Sequence, residues 1–244
     1  MPRGQFIAIE GIDGSGKRTQ LDLLARAFEK RGVPYLRVSF PNYESFFGKL
    51  VARFLNGEFG GLEQVDPHFS ALLYAGDRFE SKKALNDALD AGKTILADRY
   101  VGSNLAHQTA RVVESKRGEF LAWLRRLEYE LYGLPQEDLV IYLRLPAKVA
   151  HRLIALKRAR KYTELQRDIL EADIRHLEEA AGIYDQLAKA PNWTTVNCFD
   201  ASDSVGDPRL LPPENIHREV LAAIDSRLAR PTDAGPRAQS RGRS

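Results

Sequence analysis

The sequence is short of cysteine. Its 244 residues include one, Cys198, so neither an intrachain disulfide nor a multi-cysteine zinc site is available. Long apolar runs are also missing: no segment approaches the roughly 18 uninterrupted apolar residues of a membrane span. The start, MPRGQFIAIEG, has no apolar core leading to a cleavage site, so no signal peptide is read there. Internal repeats and linkers are absent. Nor is there an excess of one charge once the end is set aside. The formal charge is +3, but the stretch from Arg230 to Ser244 has four Arg and one Asp, which leaves 32 basic and 32 acidic residues before it. The basic balance therefore belongs to a Pro/Gly/Ser/Arg tail, 230–244, that cannot bury an apolar face and is expected to be disordered. Nucleic acid is not the expected partner. The expectation is a soluble cytoplasmic chain with one domain over 1–229.

What is present is a 43% apolar chain in which β-rich runs alternate with helical periodicity. FIAIEG, VPYLRVSF, KTILADRY, DLVIYLRLP and WTTVNCF read as strands, the second as a buried one. A helix with Leu21, Leu24, Ala25 and Phe28 on one face follows the first strand. A long helix begins at the N-cap Asp66, with Pro67 in its first turn, and stops at Gly92. Further helices are read at about 115–132, 147–158, 163–189 and 213–229. Strands separated by helices imply an α/β fold, a five-stranded parallel sheet flanked by helices, joined by right-handed crossovers. Such sheets bind ligands at the carboxyl ends of their strands.

The stretch GIDGSGKRTQ, Gly11 to Gln20, follows the first strand and opens a helix. It fits the phosphate-loop pattern G-x-x-x-x-G-K-[ST] except at the last position. There Arg18 stands where a hydroxyl would hold magnesium. Glycines let the backbone turn and approach an anion, and the loop N–H groups with the helix N-terminus point at phosphate oxygens. Lys17 adds a cation near the β- and γ-phosphates. ATP contacts are expected at Gly11, Gly14, Ser15, Gly16, Lys17, Arg18 and Thr19. A Gly-rich turn with a surface lysine is a poor competitor, because strand, loop, lysine and helix all agree. Asp13 is unfavourable beside an anion unless it holds a metal or an acceptor hydroxyl. It points to a second ligand beside the nucleotide.

Four stretches resemble the thymidylate kinases: EGIDGSGKRTQ with Asp13 inside the loop, FPNY at Phe40 to Tyr43, LLYAGDRFES with Asp77 and Arg78, and DRYVGSNLAHQ at Asp98 to Gln108. Their order and spacing cover roughly 6–228. The resemblance implies a P-loop kinase fold, a homodimer, and transfer of the ATP γ-phosphoryl group to the 5′-phosphate of dTMP with Mg2+. By the same resemblance Arg99 holds the acceptor phosphate, Arg78 lies beside the thymine, and Asn104 faces its polar edge. Asp13 contacts the sugar 3′-hydroxyl, and Glu171 approaches the monophosphate. Tyr43 reaches the acceptor phosphate or magnesium, while Phe40, Ser103, His107 and Gln108 complete the expected acceptor contacts. Asp13 and Asp98 are the acids expected near magnesium. Tyr74, one turn before Arg78, can stack on the base; by itself it reads as a core aromatic.

An acceptor phosphate is already anionic, so the reaction needs alignment and charge neutralisation more than a base. Lys17 and Arg99 supply cations, and another is expected from a segment that closes over the site. From Leu139 to Thr163 there are seven Lys/Arg and no acid. A basic lid is therefore read around 151–163, with Arg158 and Arg160 as its catalytic candidates. The competing reading is a basic helix end.

The chain departs from the family pattern in three places. Arg18 replaces the magnesium hydroxyl. His107 stands where the family often has a Tyr that crowds the sugar 2′ position, which puts deoxyribose selectivity in question. Arg144 interrupts strand four, where an acid is common, and is expected to pair with a neighbour at the strand end. Three alternatives stay open. A deoxynucleoside kinase would want a carboxylate base near the end of strand two, where the chain reads Phe40-Pro41-Asn42-Tyr43. Kinases of other nucleoside monophosphates usually carry Pro at the place of Asp13. A nucleotide-binding regulatory protein is supported only by Arg18 and the tail. For the homodimer, the apolar faces near 67–91 and 115–132 serve, although burial against the sheet explains them equally well.

Overall fold

A computed structural model describes residues 2–160, 174–200 and 208–228, with backbone alone at 157–160 and 228. Five strands form one sheet: β1 (Phe6–Glu10), β2 (Tyr35–Ser39), β3 (Thr94–Asp98), β4 (Leu139–Arg144) and β5 (Trp193–Asn197). Their order is β2-β3-β1-β4-β5, and every pairing is parallel. β1 and β4 are buried along nearly their whole length, which is why FIAIE and LVIYL read as continuous apolar runs. The expected five-stranded parallel sheet flanked by helices is what forms.

β2 corrects one expectation. It is the sheet edge, half-buried to exposed along its length, not a buried strand. Arg37 points out and pairs with Asp22 at 2.5 Å, a charge of the kind that discourages edge-to-edge pairing.

The helices are α1 (Lys17–Arg31), α2 (Phe46–Leu55), α3 (Pro67–Asp90), α4 (Val101–Thr109), α5 (Arg117–Arg125), α6 (Ala147–Arg160), α7 (Ile174–Leu187) and α8 (Pro213–Leu228). α1 buries Leu21, Leu24, Ala25 and Phe28, the expected face. α3 starts as read: Asp66 accepts from the His68 N–H at 2.7 Å, Pro67 occupies the first turn, and Gly92 follows the end with φ 75°. α2 and α4 were not anticipated. α2 is capped by Ser45, whose Oγ accepts from the Gly48 N–H at 2.8 Å. α4 is buried on every side, and its polar stripe of Ser103, Asn104, His107 and Gln108 faces the cleft described below instead of open solvent. The helix read at 115–132 is α5 continued by a π-helical stretch, Arg126–Leu131. A short antiparallel pair, β6 (Phe199–Asp200) with β7 (Arg209–Leu210), precedes α8.

The side chains of Arg158 and Arg160, the lid beyond residue 160, Glu171, and the 230–244 tail lie outside the described residues.

Candidate active site

The loop between β1 and α1 has the backbone its glycines require. Gly11 and Gly14 sit at φ 143° and 82°. A Cβ on Gly11 would lie 2.6 Å from the Leu143 carbonyl oxygen, and one on Gly14 would lie 2.9 Å from that of Ala150. Only glycine fits either position. Lys17 is buried, and its Nζ donates to the carbonyls of Gly11 at 3.0 Å and Ile12 at 2.9 Å. Burial lowers its ammonium pKa to about 8, with Arg99 adding to that effect and Asp13, Asp98 and Glu10 opposing it. The Ser15 Oγ is buried with no hydrogen-bond partner among the described residues, an orphan at the place where a phosphate oxygen would come. Arg18 and Thr19 are exposed on the first turn of α1.

Beside the loop lies a cleft at the carboxyl ends of β1, β2 and β3. It is lined by Asp13, Phe40, Pro41, Tyr43, Leu55, Tyr74, Arg78, Arg99, Ser103, Asn104, His107 and Gln108. These include all the acceptor contacts expected from the sequence except Glu171. Asp13 alone belongs to both the phosphate loop and the cleft.

Arg99 reaches this cleft by an unusual backbone. Its φ is 66°, the one positive value among non-glycine residues described, a conformation that costs about 1 kcal/mol or more and gathers at functional sites. It aims the guanidinium at the mouth of the loop. Nη2 pairs with Asp13, while Nη1 donates to the Gly11 carbonyl at 3.2 Å and to the Ser103 Oγ at 3.0 Å. Burial works against the Asp13 charge, but Arg99 and Lys17 outweigh it and hold the carboxyl below its ordinary range. Behind Arg99 lies Glu10, fully buried at the end of β1. Its carboxylate accepts from the Tyr100 and Ser103 N–H groups, the Ser103 hydroxyl and the Tyr184 hydroxyl at 2.6–3.0 Å.

The far wall is built differently. Arg78 on α3 pairs with Glu128 in the π-helical stretch, with Nε to Oε2 at 2.8 Å, and neither side chain is more than 2% exposed. Asn104 donates from Nδ2 to Glu128 Oε1 at 2.7 Å and to the Ala71 carbonyl at 3.1 Å. These donations fix the amide orientation, and Oδ1 remains buried with no partner among the described residues. Asp77, beside Arg78, accepts from the Asn42 N–H at 2.9 Å and the Ser45 hydroxyl at 2.6 Å, so it pins the FPNY segment to α3. Tyr74 packs edge-on against Phe54 at 6.4 Å. Gln108 lines the cleft, but its carbonyl is engaged by Ser70 and Arg111 at 2.7 and 2.8 Å.

Glu10 and Glu128 were not read from the sequence as site residues. The signal for Glu128 is an acid one turn from Leu124 on the buried face; for Glu10 it is the acid closing an apolar strand. Arg144 makes the expected strand-end pair, two hydrogen bonds of 2.8 Å to Asp185 on α7.

Among the described residues no cluster of three or more His, Cys, Asp or Glu side chains could cage a metal. Asp13 is tied to Arg99, whereas Asp98, half-buried at the end of β3, makes no ion pair among the described residues. That donor set fits a magnesium ion carried chiefly by nucleotide oxygens. No helix among the described residues is long and apolar enough to cross a membrane.

The family model described as thymidylate kinase matches residues 9–207. A thymidylate kinase of Mycobacterium tuberculosis is 34% identical over 189 residues, covering 77% of this chain and 87% of that one. A probable thymidylate kinase of Pyrococcus horikoshii is 34% identical over 230 residues, covering 93% and 98%. The structure of a thymidylate kinase from Candida albicans superposes with a TM-score of 0.66 at 22% identity, covering 92% of each chain, and supports the fold.

Proposed function

The chain belongs to the thymidylate kinase family, and from that premise we propose how its own residues turn dTMP into dTDP. It is an ATP-dependent kinase of thymidylate. The observation that carries the residue assignments is that the acceptor contacts expected from four separated motifs line one cleft, joined to the phosphate loop through Asp13.

ATP phosphates sit on the loop N–H groups, the Ser15 hydroxyl and Lys17, at the N-terminus of α1. Thymine enters against Tyr74, with the buried Asn104 Oδ1 accepting the base N3–H and Arg78 beside it. Asp13 takes the sugar 3′-hydroxyl, and Arg99 turns its fork toward the 5′-phosphate. A phosphate oxygen then attacks the γ-phosphorus in line, the bond to the β-phosphate oxygen breaks, and ADP leaves. No protein base is required, because the attacking oxygen carries no proton at neutral pH. Lys17 and Arg99 neutralise charge on the transferring group. Arg158 or Arg160 of the basic lid adds another cation. Magnesium, when bound with ATP near Asp98, supplies further charge neutralisation.

Purified protein given ATP and a panel of nucleosides and nucleoside monophosphates tests the reading. Preferential conversion of dTMP to its diphosphate supports it; preference for a nucleoside or another monophosphate overturns it. Arg18 is exposed and, on this reading, tolerated, so turnover depends on magnesium both in the natural chain and in Arg18→Ser. Metal-independent turnover would refute that. The outer face of α3 leaves Phe69, Leu72 and Phe79 between 38% and 47% exposed. That apolar stripe supports a homodimer contact on α3, and sedimentation of Phe79→Asp as a monomer, against a dimer for the natural chain, is the expected outcome.

A further inference from the structure

His176 does not line the cleft, but it touches a side chain that does. His107 stands buried on α4 in the cleft wall. Its Nε2 faces Arg99 Nη1 at 3.4 Å, and its Nδ1 faces His176 Nε2 at 3.2 Å. His176 is itself buried, near the start of α7. The two rings lie 5.4 Å apart and tilted by 32°, and the His107 ring meets Tyr184 edge-on.

The chemistry of arginine sets the direction of this chain. A guanidinium has donors and no acceptor, so His107 Nε2 must be the accepting nitrogen. In a neutral ring the proton then sits on Nδ1 and is donated to His176 Nε2. Burial and the Arg99 cation both keep His107 neutral. The remaining Arg99 contacts come from Asp13, the Gly11 carbonyl and Ser103, so His107 closes one side of its cage.

This step rests on the reading of the cleft as the thymidylate site. We propose that His176 is a positioning residue for the acceptor: by accepting from the His107 Nδ1–H it anchors the ring with Nε2 turned to the Arg99 guanidinium, which holds the fork toward the acceptor phosphate. Without that acceptor, the buried Nδ1–H loses its partner. Arg99 still requires an accepting Nε2, so the ring keeps its tautomer but turns to find another partner for Nδ1–H, and the fork loses that side of its cage.

The test combines 15N NMR of the histidines in the unliganded full chain with steady-state kinetics of His176→Leu and His176→Gln. Glutamine carries an amide oxygen that can accept from Nδ1–H; leucine does not. The expected result is Nδ1-protonated His107 in the natural chain, with its Nδ1–H signal losing the downfield hydrogen-bonded shift in the leucine variant and keeping it in the glutamine one. The KM for dTMP should rise about tenfold in the leucine variant with kcat within about twofold, and glutamine should restore KM to within about threefold. An Nε2-protonated His107 in the natural chain overturns the proposal, as does an equal KM for the two variants or a KM that leucine leaves unchanged. The tautomer is read without substrate, so it stands or falls separately from the choice of acceptor. A natural chain with the Nδ1 tautomer but no turnover of dTMP would overturn the reading of the cleft and, with it, the role in acceptor binding. If the leucine variant does not fold, the natural tautomer and the glutamine kinetics still decide.

Discussion

Two arginine–carboxylate pairs face each other across the cleft, and they do opposite things with the same chemistry. Arg78–Glu128 is sealed, at 2% and 0% side-chain exposure; Arg99–Asp13 keeps 16% and 24%. The sealed pair sits on a regular helix and a π-helical stretch, and it also holds Asn104 by a hydrogen bond of 2.7 Å. It is sealed from solvent, so it is a rigid part of the cleft wall and, on the function proposed above, the frame against which the base is held. The open pair hangs from a left-handed residue at the loop mouth, where an incoming phosphate can share the guanidinium. Burial thus separates an arginine that shapes the pocket from one that is open to a ligand and, on the proposed function, handles charge in transit.

The largest expected effect comes from breaking the sealed pair. Glu128→Gln leaves the Arg78 cation buried without a counter-charge, which costs about 3–5 kcal/mol. Denaturant unfolding should show the midpoint falling by that equivalent, a large share of the ~5–15 kcal/mol that holds a typical domain together. The double variant Arg78→Met, Glu128→Leu should recover most of the stability and none of the thymidylate affinity. An unchanged midpoint in Glu128→Gln would erase the distinction between the two pairs.

Breaking the open pair should show in catalysis and barely in stability. Arg99→Lys keeps the charge but loses the fork that spans Asp13, Gly11, Ser103 and a phosphate. The expected loss is about 100-fold in kcat/KM for dTMP, roughly 2.7 kcal/mol of transition-state stabilisation. The unfolding free energy should move by no more than about 1 kcal/mol, as for partly exposed pairs. A variant that unfolds easily yet works normally would reverse the two assignments.

Both members of the open pair were read from the sequence as site residues, though not as partners; of the sealed pair only Arg78 was. Asp13 stood out as an acid inside a phosphate loop, and Arg99 as a cation at the end of a strand. Arg78 also belongs to a motif, but Glu128 lies 50 residues away in sequence, in a stretch that reads as an ordinary amphipathic helix. No local pattern encodes that pairing, because tertiary packing selects it. The same holds for β2. Its apolar residues matched a buried strand, and only the sheet order made it an edge. α4 escaped notice because its polar residues Ser103, Asn104, His107 and Gln108 read as cleft contacts and not as a helix face, while the strand positions, the loop, and the caps of α3 are local chemistry and formed as read.

Another buried carboxyl sharpens the comparison, because it has no arginine. Glu137, 7% exposed just before β4, receives the Tyr129 hydroxyl at 2.7 Å. Burial raises its pKa from 4.5 to about 7. The unfolded chain gives up this proton near the ordinary value, whereas the folded chain keeps it until about 7. Between those limits the folded state holds the extra proton, so stability falls as pH rises, by about 1.4 kcal/mol per unit at most. Glu137→Gln keeps an acceptor for Tyr129 and removes the charge. The variant should match the natural chain near pH 4.5 and exceed it at pH 8 by on the order of 3 kcal/mol, with KM for dTMP unchanged. Unfolding curves for the two chains that stay parallel from pH 4.5 to 8 would mean that Glu137 ionises in place without cost. Burial alone would then fail to explain why the acid on the cleft wall is given an arginine and this one only a tyrosine.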